Sequence, residues 1–239
     1  MTAQRGGPQI IPRPDDAIAG RPNPWYPVLR AEMLTLPRLE AVLAARSTAG
    51  SPVLLDDHLR QPVLTTAREA AVLVPVFYGS DGELRLLFTR RSAQLRNHRH
   101  EVAFPGGRRD PGETLVDTAL REAWEEIGLP TEAVRVIGEL DPLSTVRNPS
   151  AITPVVGFID NVPELRANDG EVERIFDVSI LELAHPDCYS EELWPVAQQG
   201  SGDDRRFPVH FFEVPGDTIW GATGRMIQRL LDLLTFTVL

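Results

Sequence analysis

GRRDPGETLVDTALREAWEEIGL, Gly107 to Leu129, is the stretch from which the rest of the chain is read. It opens on a glycine turn and a short acidic loop, and a helix is predicted from about Thr114 to Ile127. On that helix Glu122, Glu125 and Glu126 stand at i, i+3 and i+4, so three carboxylates are expected on one face. Like charges at those spacings repel, and a purely structural helix dilutes them with Lys or Arg. A hard divalent cation turns the repulsion into coordination, because Mg²⁺ takes carboxylate oxygens and keeps its other positions for water and substrate phosphate. The plainer reading is a solvated acidic face. The residues around the helix decide between the two.

Gly107, Glu113, Arg121, Glu122, Ala123, Glu125, Glu126, Gly128 and Leu129 fill every fixed position of the pattern G-x5-E-x7-R-E-U-x-E-E-x-G-U, with U aliphatic. At average residue usage such a match arises by chance in roughly one chain in a million. The stretch resembles the Nudix box, and the resemblance implies a hydrolase for a nucleoside diphosphate linked to another group. The fold it implies is α/β: the Nudix fold, an α/β/α sandwich with a mixed sheet.

The whole chain bounds that reading. At 239 residues it can bury a substantial core. One cysteine, Cys188, leaves neither a disulfide framework nor a thiolate zinc site, which suits a reducing cytoplasm. No apolar run reaches membrane-spanning length, so no membrane partner is expected. A formal charge of −10 argues against general nucleic-acid binding. All 24 basic residues are arginine, which excludes lysine bases, Schiff-base chemistry and the P-loop lysine.

Six prolines between Pro8 and Pro27 predict that residues 1–30 form an extended arm or disordered tail, with Trp25 and Tyr26 as docking residues. Residues 31–239 are then a single catalytic domain. A short helix is expected over Leu34–Ala45. EAAVLVPVFYG and LRLLFTRR predict a hairpin about Asp81-Gly82, and VAFPGG a short strand entering the glycine turn. AVRVIGEL, ITPVVGFID and FPVHFFEV are further strands, VERIFDVSILEL a turn with a short helix, and the stretch from about Ile219 to Leu234 a closing amphipathic helix.

The resemblance implies roles residue by residue. Glu125 and Glu126 correspond to paired ligands of Mg²⁺ or Mn²⁺, and Glu122 to a further ligand or the base. Arg121 orients the box glutamates from another face of the helix, and Glu113 supports the site from the loop. The Gly106 carbonyl is a candidate backbone ligand. One more acid comes from a late loop: Glu171 stands where relatives carry it, with Glu173 as the competitor. Trp124 is read as packing.

Upstream, LFTRRSAQLRNHRHEVAFPGG resembles the signature of the coenzyme A diphosphatase branch, L-L-T-x-R-[SA]-x3-R-x3-G-x3-F-P-G-G. Arg91, Arg96, Phe104 and Gly107 are thereby implied in holding a coenzyme A-like nucleotide. Arg85 to Arg109 contains seven arginines and one acid, Glu101, which reads as a cradle for several phosphates. Phe88 stands in place of a signature leucine, a minor change, His100 replaces the signature glycine, and Glu101 stands where relatives commonly have glutamine. The implied reaction is cleavage of coenzyme A or a derivative to 3′,5′-ADP and 4′-phosphopantetheine, in a protein that is a homodimer like many relatives. The alternatives are the same chemistry on NADH, ADP-ribose or a nucleoside triphosphate, or a non-catalytic nucleotide-sensing module.

Overall fold

The computed structural model describes residues 4–48, 68–95, 98–144, 150–196 and 205–237. Its centre is β2 (Arg68–Tyr78), which runs parallel to β8 (Ser150–Ile159). The opposite edge of β2 is shared: β5 (Gly106–Arg108) pairs antiparallel with Ala70–Val72, and β3 (Leu84–Arg91) with Val76–Tyr78. Pro75, which has no N–H to give, falls in the interval between these two partners. β4 (Val102–Ala103) and β9 (Val172–Ser179) extend the sheet from β3, while β6 (Val134–Glu139) and β7 (Leu143–Ser144) extend it from β8. One parallel pair among antiparallel ones makes the sheet mixed, as the resemblance implied.

β2 is apolar almost throughout because both its faces are covered. Ala71, Leu73 and Phe77 meet Ala119, Ala123 and Ile127 of α2 (Leu115–Ile127). Val74 and Val76 belong instead to the larger core, with Leu39, Val42 and Leu43 of α1 (Leu36–Thr48) and Met226, Ile227 and Leu230 of α4 (Gly221–Phe236). Helices thus flank the sheet on both sides.

VERIFDVSILEL departs from expectation. Residues Val172–Ser179 are the strand β9, and only Ile180–Leu183 forms the helix α3. Ile175 packs toward the α2 side and Phe176 toward the other, so the stretch lacks the alternation of a half-buried strand. Pairing with β3 along nearly its whole length, a tertiary fact, makes it one.

A second, antiparallel sheet was only partly legible. Besides β11 (Arg206–Val214) it holds β1 (Ile18–Ala19), β10 (Tyr189–Pro195) and β12 (Asp217–Ile219), in the order β1-β10-β11-β12. YSEELWP is too polar to announce a strand; it becomes one through its register on β11, from Tyr189 against Phe212 to Pro195 against Arg206. The proline-rich stretch lies along this sheet. Trp25 is buried edge-on against Tyr189, at 4.5 Å between ring centroids, and donates its indole N–H to Asp232 at 2.7 Å. Tyr26 is exposed.

Candidate active site

α2 begins with a reciprocal cap: Asp117 donates its N–H to the Thr114 hydroxyl, and Thr114 donates its N–H to the Asp117 carboxylate. It ends at Gly128, whose φ of 67° is the left-handed turn glycine adopts without strain. With both ends fixed, the side facing the sheet carries Ala119, Ala123 and Ile127, and beside them a carboxylate, Glu126, only 4% exposed. Glu122 lies one turn earlier in the same row and is partly buried.

Glu125 does not share that face. It is turned outward, its carboxylate 3.1 Å from Nη1 of Arg121 at i, i+4. The expectation of three carboxylates on one face therefore resolves into two inward and one at the rim, because successive helical positions differ by about 100°. Trp124, read as packing, is 55% exposed on the outer side.

Arg121 organises the acids. Its Nε donates to Glu113 at 2.6 Å, its Nη1 to Glu122 at 3.0 Å and to Glu125 at 3.1 Å, and its Nη2 to the Arg108 carbonyl at 3.1 Å. Glu113 also accepts from the Thr118 hydroxyl at 2.8 Å. These hydrogen bonds, Arg121's first, hold the Glu113 carboxyl down at about 2, so it is a permanent anion that anchors the guanidinium. Thr118 escaped the sequence reading, although its place four residues before Glu122 put it in the same row.

The inner pair is charged at odds with its surroundings. Burial pushes Glu126 up to about 7; Glu122 and Glu171 add to the shift, while the Arg91 guanidinium and the Gly106 N–H oppose it. Glu122 is also raised, first by burial, then against the pull of Arg121 and with the push of Glu125 and Glu171. Glu171 thus lies within electrostatic reach of both carboxylates, and its own carbonyl accepts from Ser92 N–H at 2.8 Å. Glu173 points elsewhere, bonded to His100 Nδ1 at 2.9 Å and to Arg90 Nη2 at 3.1 Å. Of the two late acids the fold brings Glu171 to the helix.

The glycine turn closes the floor. Gly106 and Gly107 pair with Val72 and Ala71, and a Cβ on Gly107 would overlap the Glu122 carboxylate. Opposite, Nη1 of Arg91 lies 3.8 Å from Glu126, and its buried Nε has no hydrogen-bond partner among the described residues. Phe104 is not at the site: it is buried in the core, stacked on Phe88 at 4.9 Å. Arg96 lies outside the described residues. The expected cradle of seven arginines is smaller than its count, because most of those described are engaged within the protein. Arg85 pairs with Asp81 and Asp177, Arg90 with Asp217 and Glu173, and Arg109 with Glu69, while Arg99 donates to the Leu95 carbonyl. Cys188 is buried, its thiol pushed up to about 12 by desolvation, and is no nucleophile.

A desolvated acid pair beside an arginine with an unused N–H is chemistry suited to a divalent cation and to phosphate oxygens. The chain belongs to the Nudix family of hydrolases, which act on phosphoanhydride bonds: the profile of the NUDIX domain matches residues 67–198. It is similar to the uncharacterized Nudix hydrolase NudL of Yersinia enterocolitica, 38% identical over 165 residues that cover 69% of this chain and 80% of that one. It is also similar to Nudix hydrolase 3 of Caenorhabditis elegans, 37% identical over 176 residues covering 69% and 72%. Among solved structures, a C. elegans Ap4A hydrolase binary complex is 20% identical over 48% of this chain and 81% of that one, with a TM-score of 0.41.

Nudix hydrolases generally use divalent metal ions; among the described residues no group of three or more acidic, histidine or cysteine side chains is already drawn together as a metal site. Glu122 and Glu126 offer only oxygen donors and are partly stripped of water, which suits a hard cation. Among the described residues no helix is long and apolar enough to cross a membrane.

Proposed function

We propose that this chain is a Mg²⁺- or Mn²⁺-dependent diphosphatase of coenzyme A or a derivative, releasing 3′,5′-ADP and 4′-phosphopantetheine. The observation that carries the reading is the buried Glu126, with the partly buried Glu122 one turn before it, close to Arg91, whose Nε has no hydrogen-bond partner among the described residues. Glu122, Glu126 and Glu171 would hold the cation, with Glu125 from the rim and the Gly106 carbonyl from the floor. Bound there, it would neutralise the diphosphate and acidify an attacking water.

The remaining roles belong to the chain's own groups. Arg121, anchored by Glu113, fixes the carboxylate of Glu122 so that it is not free to swing. Glu122 or Glu171 accepts the proton of the water as its oxygen adds to phosphorus and the bridging P–O bond breaks. Arg91 pairs with a phosphate oxygen and stabilises the departing phosphate monoester. Gly107 leaves the Glu122 carboxylate room to sit against the glycine turn, where a Cβ would overlap it. In this reading residues 31–239 are the catalytic domain, residues 1–30 its arm, and the protein works in the cytoplasm as a homodimer.

Preference for coenzyme A rests on the signature around Arg91 and on two of its three departures, His100 and Glu101, being accommodated. His100 takes φ = 58°, the left-handed conformation a glycine would supply. The Glu101 carboxylate is taken up by His98 Nδ1 at 2.8 Å. The test is release of 3′,5′-ADP from coenzyme A with Mg²⁺ and with Mn²⁺, beside NADH and ADP-ribose, for wild type and Glu126→Gln. Turnover of coenzyme A that Glu126→Gln abolishes supports the proposal. Turnover of another substrate alone keeps the hydrolase and removes the specificity; silence on all of them favours a nucleotide sensor.

A further inference from the structure

The arm reaches the loop that carries Arg91. We propose that Gln9 is a positioning residue for the phosphate-binding arginine, acting through the backbone of His100; the inference rests on the role given to Arg91 above.

Arg91 is the last residue of β3, and its main chain is bracketed by the far end of its own loop. Its N–H donates to the Glu101 carbonyl at 2.9 Å, and its carbonyl accepts from His100 N–H at 3.1 Å. The register with β9 shifts here: Arg90 faces Arg174 and Arg91 faces Val172, leaving Glu173 as the extra residue. Such a bulge re-aims the side chains beside it. The direction in which Arg91 leaves the strand therefore depends on where His100 is held.

His100 is a non-glycine residue in the left-handed region, a conformation that persists when its surroundings fix it. Two groups do so from different parts of the chain. Glu173 bonds its Nδ1 at 2.9 Å, and Gln9 Nε2 donates to its carbonyl at 2.8 Å. Gln9 is in turn fully engaged. Nε2 also donates to Asp217 Oδ1 at 2.8 Å, and Oε1 accepts from Thr218 N–H at 2.8 Å. Asp217 has no exposed surface and is gripped by Arg90 at 3.1 Å and Arg174 at 2.8 Å. The position thus demands a primary amide with two donors and an acceptor on a two-methylene stem. A carboxylate there would face Asp217 and a carbonyl with no proton to give. Neither Gln9 nor Asp217 lies in residues 67–198, so this clamp is supplied from outside the matched domain.

The experiment is steady-state kinetics on the full chain with coenzyme A and Mg²⁺, for wild type, Gln9→Ala, Gln9→Glu and the exposed control Ile10→Ala. Gln9→Ala is expected to raise KM about five- to tenfold and to lower kcat by less than that, since Arg91 both binds a phosphate oxygen and stabilises the departing phosphate. Gln9→Glu should be worse, and Ile10→Ala like wild type. Tm should fall by only about 2–6 °C in Gln9→Ala, because the Thr218 N–H loses its acceptor while Asp217 keeps both arginines. An unchanged KM in Gln9→Ala, or a fall in kcat alone, overturns the inference. If wild type hydrolyses no nucleotide, the functional reading fails separately, and calorimetry with inorganic diphosphate replaces kinetics. A Kd weakened by the same factor in Gln9→Ala then sustains the clamp. An equal Kd, or no binding by wild type, ends it.

Discussion

Replacing Glu126 by glutamine is expected to make the metal-free protein more stable at pH 8 while removing its activity. The sign follows from linkage. Burial raises the Glu126 carboxyl from 4.5 to about 7, so the folded state holds this proton more tightly than the unfolded chain does. Its contribution favours folding below pH 4.5 and is lost as pH rises through about 7. Above that, folding must bury an anion. The difference of about 2.5 pKa units (7 − 4.5) corresponds to roughly 3 kcal/mol at pH 8. Glutamine has the same shape, still accepts from the Gly106 N–H and carries no charge, so it removes this penalty. For a chain of this size roughly 3 kcal/mol is a rise in Tm of about 6–12 °C. At pH 5 the wild-type carboxyl is already protonated in the fold, and the advantage should shrink to under about 1 kcal/mol. Differential scanning calorimetry of both proteins in chelator at pH 8, 7, 6 and 5 measures it. A variant no more stable than wild type at pH 8, or a gap that ignores pH, would refute the desolvation argument.

Three further outcomes follow from the same geometry. Saturating Mn²⁺ at pH 8, about 100 times its Kd, should stabilise wild type by about 2.7 kcal/mol and Glu126→Gln by less than half as much, read from Tm. Arg121→Lys should lower kcat by at least about tenfold despite keeping the charge. One ammonium cannot reproduce a planar fork bonded to Glu113, Glu122, Glu125 and the Arg108 carbonyl, and Glu113 should then titrate well above about 2 by carboxyl-detected NMR. Trp25→Ala should cost about 3–5 kcal/mol in denaturant unfolding, since it empties a fully buried site and leaves the Asp232 carboxylate with only its Gln228 hydrogen bond.

The sequence by itself determined the elements whose signals are local. The box helix is there with its cap at Thr114 and its stop at Gly128, as are the hairpin about Asp81-Gly82 and the closing helix, because capping, turn chemistry and apolar spacing act within a few residues. It also named most of the acids at the site, since a fixed spacing on one helix carries Glu122 and Glu126 to the same face. Only the tertiary structure decided which groups turn inward. Glu125 goes to Arg121, Glu171 rather than Glu173 comes within electrostatic reach of Glu122 and Glu126, Phe104 joins the core, and several arginines are occupied by partners distant in the chain. The polar strand Tyr189–Pro195 and the clamp from Gln9 to His100 were likewise illegible. Each depends on hydrogen bonds between residues far apart in sequence, and neither periodicity nor residue type records which partner a polar group will find.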